Sequence, residues 1–537
     1  MRTSAALLCS LALPVAAAER PPNILFCISD DQSFPHASAY GTDWVRTPAF
    51  DRVAREGLLF TRAYTTNAKC APSRAVLLTG RQSWQLESAA NHGGYYPAGY
   101  RTFMEALGLQ GYFVGFTGKG WAPGDPGQID GQPRELTGRA YNERREPRAT
   151  TGISPTDYAG NFAEFLAARP PDAPFCFWYG GYEPHRRYEA GSGQRLGGKD
   201  PAAIDHVPAY WPDRPEVRQD LLDYALEIEH FDGHLGRMLE LLEAAGELDN
   251  TLVIVTSDNG MPFPRAKGTT YELSLHLPLA MRWPQGIADP GRTISEYVNF
   301  TDLAPTLLAA AGWSAAEAGM EPCAGRSLLP VLHNKPPDPG RRDWLVFGQE
   351  RHDLGRPGDA GYPVRGCIED GYLLVWNLTA ERWPMGDPVT GYLNTDGSPT
   401  KTLILAENRR GLNHWRWQLA FGRRPAAELY HLERDPDCLE NLAGDPAHGG
   451  RLETMLERLV AELRRLEDPR VIEGADADFD RHPVASPNRN LYDRYVLSGE
   501  RGFNLSWIEP TDFEAEEFDA ERPHALRMLN PAFGGSD

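Results

Sequence analysis

A cysteine stands at the start of a predicted helix in residues 70–81, which read CAPSRAVLLTGR. Pro72 and Ser73 are residue types that mark a helix N-terminus, so Cys70 should lie beside free backbone N–H groups at the positive end of the helix dipole. That position favours an attacking oxyanion and an anionic substrate. Arg74, one turn further on, keeps its charge and could hydrogen-bond the reacting group. The alternative interpretation is an ordinary loop cysteine before a helix.

Two pairs of oxygen-bearing side chains each follow a run of apolar residues. They are Asp30 with Asp31 and Asp258 with Asn259. Calcium takes about six to eight hard oxygen ligands, so these four side chains, an oxygen on a modified residue 70 and a bound anion could complete a shell. Either pair alone would be interpreted as solvated turn residues. Two pairs at equivalent positions favour a metal site.

The sequence of residues 70–81 resembles the signature of the formylglycine-dependent sulfatases, which belong to the alkaline-phosphatase-like superfamily. In that family a separate formylglycine-generating enzyme oxidises the cysteine of this motif to formylglycine, and the hydrated aldehyde attacks sulfur. The resemblance implies these catalytic positions in the chain: Cys70, Arg74, Lys119, His185 and Lys267. It also implies a calcium ion with these ligand residues: Asp30, Asp31, Cys70, Asp258 and Asn259.

The resemblance assigns a role to each remaining catalytic position. Lys119 and Lys267 match family lysines that hold the sulfate oxygens, and His185 matches a histidine that contacts the sulfate and can protonate the leaving group. An imidazole near its ordinary pKa suits that last role. Many members carry a further histidine, thought to accept a proton from the hydrate, where this chain has Trp121. The general base is therefore unassigned, and His92 is a candidate substitute.

Within the family, the chain looks most like the heparan N-sulfatases (N-sulfoglucosamine sulfohydrolases). The resemblance covers most of residues 22–465, and four stretches carry it: EPHR at 183–186, SDNGMPFP at 257–264, FGQE at 347–350 and ENLAGDP at 440–446. It implies a sulfated glycan or a small sulfated sugar as the substrate. Lys267 stands where the N-sulfatases have arginine, so the choice between a sulfate ester and a sulfamate stays open.

Two other functions stay open at this point. Phosphonate and phosphate ester hydrolases of the same superfamily share the fold and sometimes the cysteine motif. A non-catalytic homologue that binds sulfated glycans would be consistent with Trp121 in place of the usual histidine.

The elements that must position these side chains are short apolar, β-rich runs. Runs that are apolar on both faces are typical of buried parallel strands, and helical patterns such as residues 220–245 lie between them. This alternation predicts an α/β fold, with a large mixed, mostly parallel sheet between helices. Ligands bind at the carboxyl ends of such strands, so the groups that follow the runs should converge on one cleft. The runs are residues 23–29, 111–117, 174–180 and 251–257.

The remaining segments divide the chain into further units. We expect a catalytic domain over residues 19–360 and a smaller C-terminal α+β domain over residues 361–470, with a strand near 371–376 and a helix over 451–466. Residues 471–537 are acidic and rich in Pro, Asn and Asp, which predicts an irregular extension. The sequence contains no internal repeat and leaves the oligomeric state open.

The N-terminal residues are typical of an export signal. Arg2, an apolar run at residues 5–15 and alanines at 16–18 predict a signal peptide over residues 1–18, and hence a periplasmic or secreted protein, or a lysosomal one in a eukaryote. No later stretch is long enough to predict a membrane-spanning helix.

Charge and cysteine content limit the function classes. The 537 residues carry a formal charge of −20, which argues against a nucleic acid or an anionic membrane as a partner of the general surface. An anionic substrate would need positive charge concentrated in one pocket. The cysteines beyond the signal are too scattered for a zinc site or a disulfide scaffold, and Cys27 and Cys176 are predicted core thiols.

Overall fold

The computed structural model describes residues 20–336, 343–473 and 479–515. The predicted signal peptide at residues 1–18 lies outside these ranges. Within them, no helix combines the length and the apolar character that a membrane crossing would require. The helices are Pro48–Arg55, Cys70–Thr79, Phe103–Leu109, Tyr158–Ala168, Ser192–Arg195, Pro215–Ala244, Glu272–Leu275, Leu303–Ala310, Leu329–Leu332, Pro399–Arg409, His414–Phe421 and Gly449–Arg465.

The central sheet of the described chain is mixed and mostly parallel. Asn23–Ser29 lies at its middle and pairs in parallel with Thr251–Ser257 on one side and Phe175–Gly180 on the other. His276–Arg282 runs antiparallel to its neighbours. The order of the strands across the sheet is Arg292–Ile294, Leu58–Tyr64, His276–Arg282, Thr251–Ser257, Asn23–Ser29, Phe175–Gly180, Phe113–Gly118 and Arg139–Ala140, while Val298–Asn299 pairs separately with Leu58–Tyr64. The predicted fold class is confirmed, and each of the four predicted runs contains a strand of this sheet, but three of the six residues of Phe113–Gly118 are only partly buried.

Alternate residues of the middle strand face two different helical layers. Ile24, Phe26 and Ile28 pack in one apolar cluster with the helix Cys70–Thr79. The intervening residues, such as Cys27, pack in a second cluster on the opposite face of the sheet. Since every residue of the strand is buried, both faces are covered, as the continuous apolar run predicts.

The long helix Pro215–Ala244 belongs to the second of these layers. Its apolar stripe, which includes Leu235, Met238 and Leu242, is buried against the sheet. The helix begins five residues before the predicted start at residue 220, because Pro215 occupies its first turn, where a missing N–H has no consequence.

A smaller antiparallel sheet forms the C-terminal part of the fold. Its strands lie in the order Trp344–Gln349, Val364–Glu369, Tyr372–Asn377 and Ala427–His431. The helix Gly449–Arg465 buries its apolar side against this sheet, so the predicted smaller α+β unit is confirmed as part of the fold class. The first of these strands lies before residue 361, and the domain boundaries themselves stay predictions.

Residues 378–426, inserted between the last two strands of the smaller sheet, return to the larger domain. Their two helices, Pro399–Arg409 and His414–Phe421, share an apolar cluster with Val217 and Leu221 of the long helix. Beyond residue 479 the described chain contains only short helical turns, at Phe479–Arg481, Asp493–Leu497 and Pro510–Asp512. Two minor strand pairs complete the described structure: Gly94–Tyr95 with Gly124–Asp125, and Gln128–Ile129 with Gln132–Pro133.

Candidate active site

The two acidic pairs lie side by side because their strands are parallel neighbours. Ser29 is opposite Ser257 in the sheet, so the residues that follow each strand leave from the same edge. The Asp31 N–H donates to Asp258 Oδ1 (3.1 Å), and Asn259 Nδ2 donates to Asp31 Oδ1 (2.7 Å). One carboxylate oxygen from each of Asp30, Asp31 and Asp258 lies within 4.8 Å of the others.

This group of side chains fits a hard divalent cation. All four are buried, and burial followed by the Asp30 charge raises the pKa of Asp258 above its usual range. Crowded, buried carboxylates call for a compensating positive charge. Asn259 Oδ1 is also buried and accepts no hydrogen bond from any described residue, which is unfavourable unless a ligand meets it. Carboxylate and amide oxygens are the ligands that calcium prefers.

Cys70 is the first residue of its helix and faces this acidic group. Its thiol donates to Asp30 Oδ1 (3.4 Å) and lies 3.9 Å from Asp31 Oδ1, and the residue is only 1% exposed. Burial, and then the Asp30 charge, raises the pKa of the Cys70 thiol well above its usual range. A thiol that holds its proton is a poor nucleophile, so in this arrangement unmodified Cys70 is unsuited to attack.

Arg74 connects the helix to two strand ends. Its Nε donates to Asp258 Oδ2 (2.8 Å), and its Nη1 donates to the backbone carbonyls of Lys119 (2.8 Å) and Gly120 (3.0 Å). The remaining nitrogen, Nη2, is buried and donates no hydrogen bond to a described residue. Arg74 therefore keeps one cationic donor available for a ligand.

The two predicted lysines approach the acidic group from different elements. Lys119 follows the strand Phe113–Gly118, and its Nζ lies 2.6 Å from Asp30 Oδ2. Lys267 lies in the loop after the second acidic pair, and its Nζ lies 2.6 Å from Asp31 Oδ2. Together with Arg74 they concentrate positive charge in one small region of a strongly acidic protein.

The position of Lys119 depends on two glycines at neighbouring strand ends. The Lys119 N–H donates to the Gly180 carbonyl (2.7 Å). A Cβ added to Gly180 would lie 1.9 Å from the Lys119 carbonyl oxygen, and one added to Gly118 would lie 1.9 Å from the Gly180 oxygen. Gly118 also has φ +76°, a conformation that L side chains rarely adopt. Only glycine fits this approach of two backbones.

His185 presents one nitrogen to the site. Its Nδ1 lies 2.7 Å from the Arg186 carbonyl oxygen, which can only accept, so Nδ1 carries a proton. The other nitrogen, Nε2, lies 3.9 Å from Asp31 Oδ2, and about a third of the side chain is exposed (33%). A ligand atom from each of Asp30, Cys70 and His185 lies within 4.8 Å of the others. The structure thus brings the predicted catalytic residues and metal ligands into one cluster, whereas the candidate base His92 contacts Asp353.

Trp121, which occupies the position of the usual histidine, packs against its neighbours. Trp121 Nε1 donates to the Ala71 carbonyl (2.9 Å), and its ring meets Tyr96 edge-on at 5.2 Å. The candidate substitute His92 is hydrogen-bonded through Nδ1 to Asp353 (2.9 Å), which also pairs with Lys69 at 2.5 Å. No described hydrogen bond joins His92 to Cys70, and its role as the base stays a prediction.

Sequence reasoning missed one carboxylate in the cluster. Asp396, from the insertion at residues 378–426, accepts a hydrogen bond from Lys267 Nζ (3.1 Å). A ligand atom from each of Asp31, His185 and Asp396 lies within 4.8 Å of the others. A single aspartate in the sequence NTDGS, far along the chain from the other site residues, carries no signal of this placement.

A cavity of about 1170 Å³ opens beside the cluster and is large enough for one or more sugar units. The residues that line it include Asp30, Lys119 and His185 of the cluster, together with Trp121 and Tyr182.

A second group of possible metal ligands lies outside this cluster, and hydrogen bonds account for one of its two histidines, His234. One ligand atom from each of Glu146, His230 and His234 lies within 4.8 Å of the others. The Ala159 N–H (3.3 Å) and the Arg237 guanidinium (3.4 Å) both donate to His234 Nδ1. His234 Nε2 must then carry the proton that it donates to Glu146 (3.1 Å), which leaves no lone pair there for a metal.

Comparisons with known proteins agree on one family. The model of the family described as "Sulfatase" matches residues 22–313. N-sulphoglucosamine sulphohydrolase from Homo sapiens is 30% identical over 486 residues, which cover 84% of this chain and 91% of that protein. An ulvan-active sulfatase from Formosa agariphila is 27% identical over 505 residues, which cover 92% of this chain and 87% of that protein.

A solved structure supports the fold. It is described as a complex with its substrate D-glucosamine-2-N,6-O-disulfate, and it matches with a TM-score of 0.59 at 20% identity, covering 85% of this chain and 99% of that one. At this identity the match shows a common fold.

Proposed function

This chain belongs to the sulfatase family and is a sulfuric ester hydrolase or a sulfamidase, and on that basis we propose that it removes sulfate from a sulfated glycan or a small sulfated sugar. We propose further that its nucleophile is a hydrated formylglycine, made from Cys70 by a formylglycine-generating enzyme, and that one calcium ion lies beside it. The predicted export signal makes a periplasmic, secreted or lysosomal location part of the same proposal.

One observation carries the proposal. The Cys70 thiol lies 3.4 Å from Asp30 Oδ1, inside a buried group that also holds Arg74, Lys119 and Lys267. The formal charge of the chain is −20, so the general surface repels anions, whereas these three cations and the proposed calcium ion would offset the carboxylates of the cluster and allow a sulfate to bind.

The donor set supports a calcium site. Asp30, Asp31, Asp258 and Asn259 would hold the ion, and calcium would supply a positive charge that polarises the nucleophile and neutralises sulfate oxygens. Formylglycine would supply a hydroxyl in place of a thiol whose pKa burial has raised.

The other side chains have separate roles. Lys119 and Lys267 bind the sulfate oxygens and stabilise the charge that develops on them during transfer. Arg74 Nη2, which lies 3.8 Å from Asp30 Oδ1 and makes no hydrogen bond to a described residue, donates to the reacting group. His185, oriented by its Nδ1 hydrogen bond, acts as an imidazolium that carries a proton on both nitrogens, and it gives the Nε2 proton to the oxygen or nitrogen that leaves.

The relatives support a sulfated sugar as the substrate. The names of the human N-sulphoglucosamine sulphohydrolase and the Formosa agariphila ulvan-active sulfatase place their activities on sulfated sugars. A cavity of about 1170 Å³ beside Lys119 and His185 can accommodate such a ligand.

Expression with and without a formylglycine-generating enzyme tests the proposal. We expect the matured protein to release inorganic sulfate from N- or O-sulfated glucosamine or from a sulfated uronic acid, and we expect mass spectrometry to find an aldehyde at residue 70. The variant Cys70→Ala should release none. Equal sulfate release by this variant would exclude residue 70 as the nucleophile.

Assays of the matured protein with aryl esters and with sulfated sugars separate the two alternatives. Faster turnover of aryl phosphate than of aryl sulfate would favour a phosphate or phosphonate ester hydrolase. Sugar binding without turnover, with unmodified cysteine at residue 70, would favour a non-catalytic binding protein.

A further inference from the structure

Asp396 reaches the catalytic cluster from a part of the chain outside the family-model match at residues 22–313. The backbone on both sides of it is fixed by Trp507, whose Nε1 donates to the Leu393 carbonyl (3.0 Å) and whose carbonyl accepts from the Gly397 N–H (2.7 Å). The residue is only 4% exposed. Its carboxylate is therefore held at the site by the fold and is not a mobile surface group.

One of the two oxygens of this carboxylate accepts no hydrogen bond from a described residue. Lys267 Nζ donates to Asp396 Oδ2 (3.1 Å), and among the described residues it is the only donor to the Asp396 side chain. A buried carboxylate is unfavourable unless its oxygens are paired. Oδ1 receives no hydrogen bond from a described residue, and a ligand atom of Asp396 lies within 4.8 Å of one from His185.

The distance to His185 indicates which substrate atom could supply that donor. Two groups that both hydrogen-bond one tetrahedral atom, each at about 2.8 Å, lie about 4.6 Å apart. An oxygen of Asp396 and a ring nitrogen of His185 lie within 4.8 Å of each other. If His185 protonates the leaving atom, Asp396 is close enough to accept a hydrogen bond from the same atom.

We propose that Asp396 selects the leaving group: its carboxylate accepts a hydrogen bond from the bridging N–H of a sulfamate and so favours sulfamates over sulfate esters. This inference rests on the proposed function and deepens it. The bridging nitrogen of R–NH–SO₃⁻ carries a hydrogen, whereas the bridging oxygen of R–O–SO₃⁻ carries none. Of the two bridging atoms, only the sulfamate nitrogen can donate a hydrogen bond to the second oxygen of Asp396.

The products of the two reactions also differ in a way that favours the sulfamate. As sulfur passes to the nucleophile, the S–N bond breaks and its electron pair stays on nitrogen, which takes a proton from His185 Nε2 to give R–NH₂. A sugar amine then takes a second proton from water and becomes an ammonium ion, which Asp396 stabilises. An ester gives a neutral alcohol, which gains less from an adjacent carboxylate.

A simpler role for Asp396 is to hold Lys267 in place through their 3.1 Å contact. The two roles predict different kinetics. Loss of Lys267 positioning would lower the hydrolysis of esters and sulfamates by the same factor, because both carry the same sulfonate oxygens. Loss of an acceptor for the bridging N–H would lower the hydrolysis of sulfamates by the larger factor.

The test compares two substrates that differ only in the bridging atom, 4-nitrophenyl sulfate and N-(4-nitrophenyl)sulfamate, on the matured protein and on Asp396→Asn. We expect Asp396→Asn to lower kcat/KM for the sulfamate about 10- to 100-fold more than for the ester, the range expected for a hydrogen bond to a charged group. The matched control is Thr395→Val, because Thr395 Oγ1 is buried and makes no hydrogen bond with a described residue. That variant alters the same loop and should leave the ratio of the two kcat/KM values unchanged.

Product inhibition gives a second measurement. Glucosamine should inhibit the matured protein, and Asp396→Asn should weaken that inhibition about tenfold. Inhibition by N-acetylglucosamine, which carries no ammonium group, should change little.

Three other outcomes would overturn either this inference or the proposed function. An equal loss for both substrates would assign Asp396 to the positioning of Lys267 and overturn the inference. Ester hydrolysis without sulfamate hydrolysis by the unmutated protein would overturn it too, while leaving the proposed function in place. Failure of the matured protein to hydrolyse any sulfated compound would instead overturn the proposed function.

Discussion

The charges of the individual residues in the cluster indicate the net charge of the ligands that would neutralise it. Four carboxylates, from Asp30, Asp31, Asp258 and Asp396, face three cations, from Arg74, Lys119 and Lys267. A divalent ion together with a singly charged sulfate ester or sulfamate would bring the sum to neutrality. Buried charge is tolerated only when it is compensated in this way.

Calcium should therefore stabilise the folded protein measurably. We expect the unfolding temperature to rise when calcium is added and to fall when a chelator removes it, because the ion binds the folded site and relieves repulsion between buried carboxylates. A site filled at 100 times its dissociation constant contributes about 2.7 kcal/mol to the free energy of unfolding. Thermal unfolding followed by circular dichroism measures the shift.

The control for this prediction is Asp258→Asn, which removes one carboxylate and should lose most of the calcium-dependent shift. If neither calcium nor a chelator changed the unfolding temperature of the unmutated protein, the acidic group would not be a calcium site.

Most of the site residues could be predicted from the sequence, and the reason is local. Asp30, Asp31, Asp258 and Asn259 each follow an apolar strand directly, and Cys70 stands in a specific motif. Asp396 could not be predicted, because its position depends on how residues 378–426 fold back onto the larger domain. No local pattern in the sequence records that long-range contact.

At the scale of the elements, the site depends on how closely the strand ends approach. Asn23–Ser29, Phe113–Gly118 and Phe175–Gly180 end at the same edge of the sheet, and their backbones touch there. The Asp30 N–H donates to the Glu183 carbonyl (3.0 Å), and the Lys119 N–H donates to the Gly180 carbonyl (2.7 Å). Small displacements at this edge would separate Lys119 from Asp30.

Gly180→Ala should damage both stability and activity. Its Cβ would lie 1.9 Å from the Lys119 carbonyl oxygen, so the two strand ends must separate. We expect a loss of about 1–3 kcal/mol in the free energy of unfolding, typical of overpacking, and a fall in kcat/KM as Lys119 moves. Thermal unfolding and sulfate release measure the two effects.

A second glycine offers a matched control. Gly233 lies in the interior of the helix Pro215–Ala244, and a Cβ there would meet no atom within 4 Å. Gly233→Ala should raise the free energy of unfolding by about 0.5–1 kcal/mol, since alanine favours a helix over glycine, and should leave activity unchanged. If Gly180→Ala behaved in the same way, the close approach of the strand ends would be unimportant.

The elements differed in how well the sequence predicted them. Strands that are apolar on both faces, such as Thr251–Ser257, were predicted with the observed bounds. The antiparallel strands Leu58–Tyr64 and His276–Arg282 were not located individually. Leu58–Tyr64 contains half-buried polar residues, and His276–Arg282 contains a proline, so neither gives a clear buried-strand pattern.

At the scale of the whole molecule, the C-terminal residues brace the catalytic half. Lys401 and Asp512 form a fully buried ion pair (3.0 Å), and Lys401 also donates to the carbonyls of Gly391 (2.9 Å) and Thr395 (2.7 Å). Trp507 fixes the backbone on both sides of Asp396. The loop that carries Asp396 is thus held in place by residues more than a hundred positions further along the chain.

Asp512→Ala should loosen this arrangement. It leaves the Lys401 ammonium buried without its partner, a change that typically lowers the free energy of unfolding by about 3–5 kcal/mol. We expect a lower unfolding temperature, faster proteolysis around residue 396 and reduced sulfate release. Limited proteolysis with mass spectrometry locates the opened segment.

The comparison variant is Glu500→Ala, which removes an exposed ion pair with Arg494 from the same C-terminal region. Exposed pairs contribute little, so its unfolding temperature and protease sensitivity should stay unchanged. An equal response from both variants would mean that the buried pair has no special role in bracing the loop.

If Cys70 is converted to formylglycine as proposed, its burial, with only 1% of the residue exposed, limits when the conversion can occur. Once the sheet and its helices have assembled, the backbone and the sulfur of Cys70 are inaccessible to a second protein. The oxidising enzyme must therefore act while the polypeptide is still newly made and open. Protein molecules that fold before Cys70 is oxidised would stay inactive, even if more of the oxidising enzyme were supplied afterwards.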